Sequence, residues 1–236
     1  MASDRVRSIR YSIARTVAAG SGYLYRIRGL AQVLDLASLG RLERSYGRVP
    51  QLSSVEAVFA HMAEHLEPGR LYNYLEFGVY QGRSLQWWST HLTGPNHRLV
   101  GFDSFEGLPQ TWNADNPAGH FDLDGSPPTI HDPRVRFVIG WFDDTVPKFS
   151  KPESGSLIVN IDCDLYSSTK VVLDQIGDWL APGDLLYFDE FGDLDHEYLA
   201  WSAFMADHPG LRLDLIAVAN GWRHVAFRVA ERTDPA

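Results

Sequence analysis

Tyr74-Leu75-Glu76-Phe77-Gly78-Val79-Tyr80-Gln81-Gly82-Arg83-Ser84 decides the fold class. An apolar run from residue 71 to 77 reads as a buried strand, Gly78 opens a glycine turn, and a helix follows from residue 83 to about 92. That order is the unit with which an open α/β sheet binds a nucleotide-like ligand beyond the ends of its strands. A dinucleotide fingerprint requires a third glycine in Gly-x-Gly-x-x-Gly spacing. Only Gly78 and Gly82 are present, which disfavours a diphosphate ligand and weakens a nicotinamide dehydrogenase reading.

Outward from this unit the same alternation continues. Residues 53–66 carry helical spacing, with Ser53 as cap and Glu56 three residues on. Apolar runs at 98–102, 135–139, 157–161 and 185–188 read as further strands, with a helix at about 168–180 stopped by Pro182-Gly183. Strand, helix, strand repeated in this way predicts a parallel sheet with right-handed crossovers. A helix at 197–206 is followed by strands at 211–217 and 224–229, joined by Asn220-Gly221 as a hairpin at one sheet edge. Residues 107–133, rich in proline, glycine and aspartate, leave from the ligand-binding end of the second strand and read as a lid, which could bring His120 and His131 to a substrate.

Two carboxylate pairs stand just past predicted strands: Asp162 and Asp164 in Ile161-Asp162-Cys163-Asp164-Leu165-Tyr166, and Asp189-Glu190 after Leu185-Leu186-Tyr187-Phe188. Like charges crowded at strand ends repel unless a cation joins them, which points to catalysis and to a divalent metal. The bland alternatives are helix capping, better assigned to Ser167, Ser168 and Thr169, and solvated strand-end charge. Asp103 ends the second strand, where its carboxylate can accept from two ribose hydroxyls, and Glu76 stands where a ligand's cationic end would lie. His196, between Asp195 and Glu197, is an alternative base, although a helix-start histidine is ordinary. Trp87 and Trp88 read as packing residues, whereas Trp141, after the third strand, can flank a planar ring.

The chain has 236 residues, 44% of them hydrophobic, enough for one domain with a full core. A formal net charge of -9 disfavours a nucleic-acid surface, so a small-molecule acceptor is expected. The single cysteine, Cys163, reads as a buried inert thiol and fits a reducing, cytoplasmic location. Arg5, Arg7, Arg10, Arg15, Arg26 and Arg28 precede residue 30 with only Asp4 opposing them. A targeting peptide or membrane-surface helix is one reading. Scattered arginines and the absence of an apolar signal core favour a solvated helical cap with no membrane span. Residues 1–70 are thus expected to cap the sheet of residues 71–236 within one domain, offering a surface for a homo-oligomeric partner.

The segments 75–84, Gly101-Phe102-Asp103-Ser104-Phe105-Glu106-Gly107-Leu108-Pro109, Gly140-Trp141-Phe142 and Asp162-Cys163-Asp164-Leu165-Tyr166-Ser167-Ser168-Thr169 resemble the macrocin O-methyltransferase family over residues 71–229. That resemblance implies a class I methyltransferase sheet of seven strands, the last antiparallel, and S-adenosylmethionine as methyl donor to a sugar or glycosylated natural product. It implies that Glu76, Gly78 and Ser84 line the methionine end of the donor, Asp103 the ribose, and Gly140, Trp141 and Phe142 the adenine, with Tyr80, Gly82 and Ser104 also binding the donor. It further implies magnesium held by Asp162, Asp189 and Glu190, with Asp164 as base; Glu190 departs from the aspartate usual at its position. Metal-independent methylation and a non-catalytic cofactor-binding protein are the competing expectations.

Overall fold

The computed structural model describes residues 45–47 and 49–233; the basic N-terminal stretch and most of the expected cap lie outside them. Residues 45–47 fall in a first unit, Met1–Gly47, and everything below concerns the second, which begins at Arg48. Its elements in chain order are β1 (Gln51–Leu52), α1 (Val55–Ala63), β2 (Tyr72–Phe77), α2 (Arg83–His91), β3 (Arg98–Asp103), β4 (Val135–Ile139), α3 (Phe142–Thr145), β5 (Ser156–Ile161), α4 (Tyr166–Ile176), β6 (Leu185–Phe188), α5 (Glu197–Asp207), β7 (Leu211–Ala219) and β8 (His224–Arg232).

The strands form one eight-stranded sheet in the order β1-β7-β8-β6-β5-β2-β3-β4. Only β8 runs against its neighbours, pairing antiparallel with β6 and β7. The class I methyltransferase sheet is therefore present, with a strand beyond the seven expected: β1 pairs parallel with β7 and covers the edge that the hairpin would otherwise expose. Every residue of β2, β5 and β6 is buried, the signature of strands covered on both faces. On one face α1 and α2 bring Phe59, Met62, Leu85 and Trp88 against Tyr74, Tyr187 and Ala226. On the other, α4 packs on α5, and Trp201 stacks on Phe227 at 5.5 Å. Helix α1, expected within the cap, thus packs on the sheet against β7 and β8.

Helix ends show where neighbours override local sequence. Ser54, not Ser53, caps α1, accepting from the Ala57 amide at 3.2 Å. Helix α4 starts at Tyr166 and none of its own side chains caps it, so the capping role expected of Ser167, Ser168 and Thr169 is not realised. Thr169 instead donates its hydroxyl to the Leu165 carbonyl inside the helix.

From β2 the chain moves outward through β3 and β4, then returns to place β5 on the other side of β2. That reversal makes the ends of β2 and β5 a topological switch point, where ligands bind in such sheets. The two ends meet without a gap. Asp162 donates its amide to the Phe77 carbonyl at 2.9 Å, and Gly78, at φ +90°, leaves room for the Asp162 carbonyl that a Cβ would approach to 1.8 Å. Gly78→Ala should therefore lower stability by about 3 kcal/mol or more, read as a denaturation midpoint, because backbone has to separate there.

Candidate active site

A cavity of about 580 Å³ opens at the switch point. Among the residues singled out in the sequence, Gly78, Tyr80, Asp103, Ser104, Gly140, Trp141, Phe142, Asp162, Asp164, Asp189 and Glu190 line it. Glu76, Gly82, Ser84 and His196 are not on its wall. Gly82, at φ +73°, is the N-cap of α2, and Ser84 lies in the first turn of that helix. Cys163 lines the cavity with little exposure, and burial pushes its thiol pKa well up, as an inert thiol requires.

Asp103 largely serves the chain itself. Its Oδ2 accepts from the Val79 and Tyr80 amides at 2.8 and 2.9 Å, and its Oδ1 from the Phe105 amide at 2.8 Å. These bonds fix the glycine turn to the end of β3. A carboxylate has about four acceptor positions, so roughly one remains for a ligand hydroxyl rather than the pair expected. Glu76 lies fully buried beneath the turn, accepting from the Tyr74 hydroxyl at 2.5 Å. Burial is the main cause that raises its pKa to about 8, so it is a neutral acid near pH 7, not an exposed anion for a cationic ligand.

The strand-end carboxylates differ sharply from one another. Asp162 is pushed well above the ordinary carboxylate range by burial and then by the charges of Asp189 and Asp164. Asp164 is raised to about 7, by burial first and then by Glu190 and Asp189. Burial alone would raise Asp189, but its hydrogen bond and ion pair with His224, at 3.1 Å, together with the Tyr187 hydroxyl at 2.6 Å, hold it below its usual value. Glu190 accepts from Arg223 Nε at 2.9 Å, and that pair only partly offsets burial, leaving its pKa raised. The outcome is an ionised Asp189 beside an Asp164 that exchanges its proton near neutrality.

As a test of the expected magnesium site, Asp162 and Asp189 fit chemically: hard oxygen donors whose mutual repulsion a dication would relieve. Glu190 does not, because Arg223 already neutralises it. Among the described residues no group of three or more His, Cys, Asp or Glu side chains is arranged to hold a metal ion.

Segment 107–133 supplies one wall through Gly107, Leu108, Pro109, Gln110, Trp112, Asn116 and Phe121. Two contacts fasten it across the opening. Trp112 donates its indole N–H to Asp193 Oδ2 at 2.8 Å, and Phe121 packs edge-on against Tyr80 with ring centroids 5.2 Å apart. His120 packs edge-on against Phe121, and neither it nor His131 lines the cavity.

Several site residues had no local signal in the sequence. Arg223 and His224 follow the Asn220-Gly221 turn, which by itself announces only a hairpin, and Asp143 sits at the start of α3. Each acquires its place because β8 inserts next to β6 and because β4 ends beside β3.

The family model for macrocin-O-methyltransferase (TylF) matches residues 47–228. The chain belongs to the macrocin O-methyltransferase family. It is 29% identical over 189 residues to an 8-demethyl-8-(2,3-dimethoxy-alpha-L-rhamnosyl)-tetracenomycin-C 4'-O-methyltransferase of Streptomyces olivaceus, covering 67% of each chain. It is also 30% identical over 108 residues to a mycinamicin III 3''-O-methyltransferase of Micromonospora griseorubida, covering 38% of this chain and 42% of that one. Two solved structures share the fold: the calicheamicin methyltransferase CalS11, with TM-score 0.53, 24% identity and coverage of 73% and 76%, and the O-methyltransferase NovP, with TM-score 0.54, 18% identity and coverage of 67% and 72%. As a member of this family the chain is an O-methyltransferase. Among the described residues no helix is long and apolar enough to cross a membrane.

The burial of Glu76 has a measurable cost in this methyltransferase. Its pKa is about 8 when folded against an ordinary 4.5, so the folded protein keeps a proton that the unfolded chain releases, and stability is lost as pH rises from 4.5 to about 8. Glu76→Gln preserves the shape and removes the titration. The fall in denaturation midpoint between about pH 5 and about pH 9 should be smaller in the variant than in the wild type.

Proposed function

We propose that this O-methyltransferase moves a methyl group from S-adenosylmethionine to a hydroxyl of a glycosylated or polyhydroxylated small molecule, with Asp164 accepting the hydroxyl proton. The observation that carries this reading is the position of Asp164, nearly buried, on the wall of a switch-point cavity, with a pKa of about 7. A base tuned near the working pH is half available and still strong enough to take a proton. The named activities of the two relatives, 4'-O-methylation of a rhamnosylated tetracenomycin and 3''-O-methylation of mycinamicin III, support the acceptor class.

The donor, when bound, supplies a methyl carbon on a sulfonium, open to in-line displacement, so the protein's task is alignment and exclusion of water. The Gly78 turn allows close approach of the ligand to backbone, and Trp141 and Phe142 offer flat apolar faces for an adenine ring. Asp103 keeps an acceptor position for a ribose hydroxyl, and Ser104 lines the wall beside it. Segment 107–133 acts as the lid, latched by Trp112 on Asp193. With the donor bound, the acceptor oxygen would take its methyl group and leave it a neutral thioether, while Asp164 would accept the hydroxyl proton.

Magnesium, when bound, would acidify a coordinated hydroxyl, and Asp162 and Asp189 are the residues that would hold it. The Arg223–Glu190 pair favours a second reading, in which no metal takes part and Arg223 supplies the compensating charge. Chelation separates the two: turnover that falls with EDTA and returns with magnesium supports the first, and turnover indifferent to EDTA supports the second.

With Asp164 as base, kcat should rise with pH and level off above about 7, and Asp164→Asn should abolish that limb with a loss of roughly a hundredfold or more. Assays with labelled donor and a panel of glycosides measure both, and full activity in Asp164→Asn would remove the base assignment. Trp112→Phe, which keeps the ring and loses the latch, should raise acceptor KM severalfold with little change in denaturation midpoint.

A further inference from the structure

Asp164 is aimed into the cavity by an unusual piece of backbone. Leu165 donates its amide to the Cys163 carbonyl at 2.5 Å, closing a three-residue turn around Asp164, whose φ is +57°. A γ-turn centred on a residue in the left-handed region is rare and strained when that residue is not glycine. Such a conformation persists only where its surroundings over-determine it.

Two consecutive side chains at the start of α5 do this. Glu197 Oε1 accepts from the Cys163 amide at 3.2 Å, and His196 Nδ1 accepts from the Tyr166 amide at 3.1 Å, so the amides on either side of the turn are both held. The other oxygen of Glu197, Oε2, accepts from the Glu190 amide at 2.9 Å. One fully buried carboxyl group therefore ties the end of β5 to the end of β6, and with them the two acidic pairs. Burying a carboxyl away from water is costly unless its oxygens are well partnered, and here both partners are backbone of the reactive loops. Neither His196 nor Glu197 lines the cavity, and α4 has no side-chain cap of its own to fix Tyr166.

We infer that His196 and Glu197 are positioning residues, a clamp that holds the strained Asp164 turn and keeps its carboxyl group directed at the acceptor hydroxyl. The inference rests on Asp164 being the base. Freed from the clamp, the turn relaxes to an ordinary conformation and carries the carboxyl away from the position in which proton transfer is effective.

The test compares wild type, His196→Ala, Glu197→Gln and Asp164→Asn by hydrogen-exchange mass spectrometry of residues 161–168 and by steady-state kinetics. Glu197→Gln keeps the shape but turns an amide NH2 toward one of the two backbone donors. Both clamp variants should speed exchange in that segment and lower kcat by about a hundredfold, the scale of a misplaced reacting group, with donor KM changed less than about threefold. Unchanged exchange, or faster exchange with kcat intact, overturns the clamp. Loss of turnover in His196→Ala without faster exchange also overturns it, because His196 would then act on the substrate itself. If Glu197→Gln does not fold, His196→Ala decides together with Trp112→Phe: the His196 ring holds the Tyr166 amide and also packs edge-on on Trp112 at 6.5 Å, and only loss of the first contact speeds exchange in residues 161–168. Asp164→Asn reports on the base assignment independently: retained turnover rejects the base and leaves the exchange result to judge the clamp.

Discussion

Mutual repulsion among Asp162, Asp164, Asp189, Glu190 and Glu197, gathered where β5 and β6 end, is the constraint to which the rest of this structure responds. Burial raises the pKa of Asp162, Asp164, Glu190 and Glu197, and only Asp189, whose partners His224 and Tyr187 outweigh its burial, lies below its ordinary value. The compensation comes from β8, which carries Arg223 at its threshold and His224 as its first residue. Inserting β8 antiparallel beside β6 is therefore an electrostatic requirement of the site as much as a way to finish the sheet. Asp189 is ionised while Asp164 exchanges its proton near neutrality because His224 and Tyr187 offset burial for the first, whereas for the second burial is the main effect and Glu190 and Asp189 add to it.

The parallel core was legible in the sequence because its strands are buried on both faces and so read as continuous apolar runs. The run at 185–188 coincides with the buried β6 at both ends; the run at 135–139 coincides with β4, an edge strand whose residues are only partly buried and which was legible from its apolar content alone. Gly78 was legible for a different reason, since a strand followed at once by glycine marks a close backbone approach, realised against the Asp162 carbonyl. Boundaries moved where a distant group supplied the cap. Helix α4 starts at Tyr166, ahead of the serines that locally look like its cap, because His196 fills that role from 30 residues away. The two-residue β1 carries too little pattern to register at all.

The wall of the site was legible in its acids and illegible in its counterions. Asp162, Asp164, Asp189 and Glu190 follow strands directly, so strand-end position exposes them in the linear chain. Arg223 and His224, which face those acids from β8, and Glu197, whose buried carboxyl holds the Cys163 and Glu190 amides from the start of α5, owe their roles to long-range contacts with no local trace. Asp103 lines the cavity, and how much of its hydrogen-bonding capacity the glycine turn uses depends on the φ of Gly78 and Tyr80, which spacing does not reveal.

The central claim, that the switch-point cavity is a methyl-donor site, is tested most directly by calorimetric titration of the folded full chain with S-adenosylhomocysteine. The account predicts one saturable site of favourable enthalpy that is lost when Gly140-Trp141-Phe142 is disrupted by Trp141→Ala in a folded variant. Absence of heat at all protein concentrations, or binding unaffected by Trp141→Ala, would contradict it.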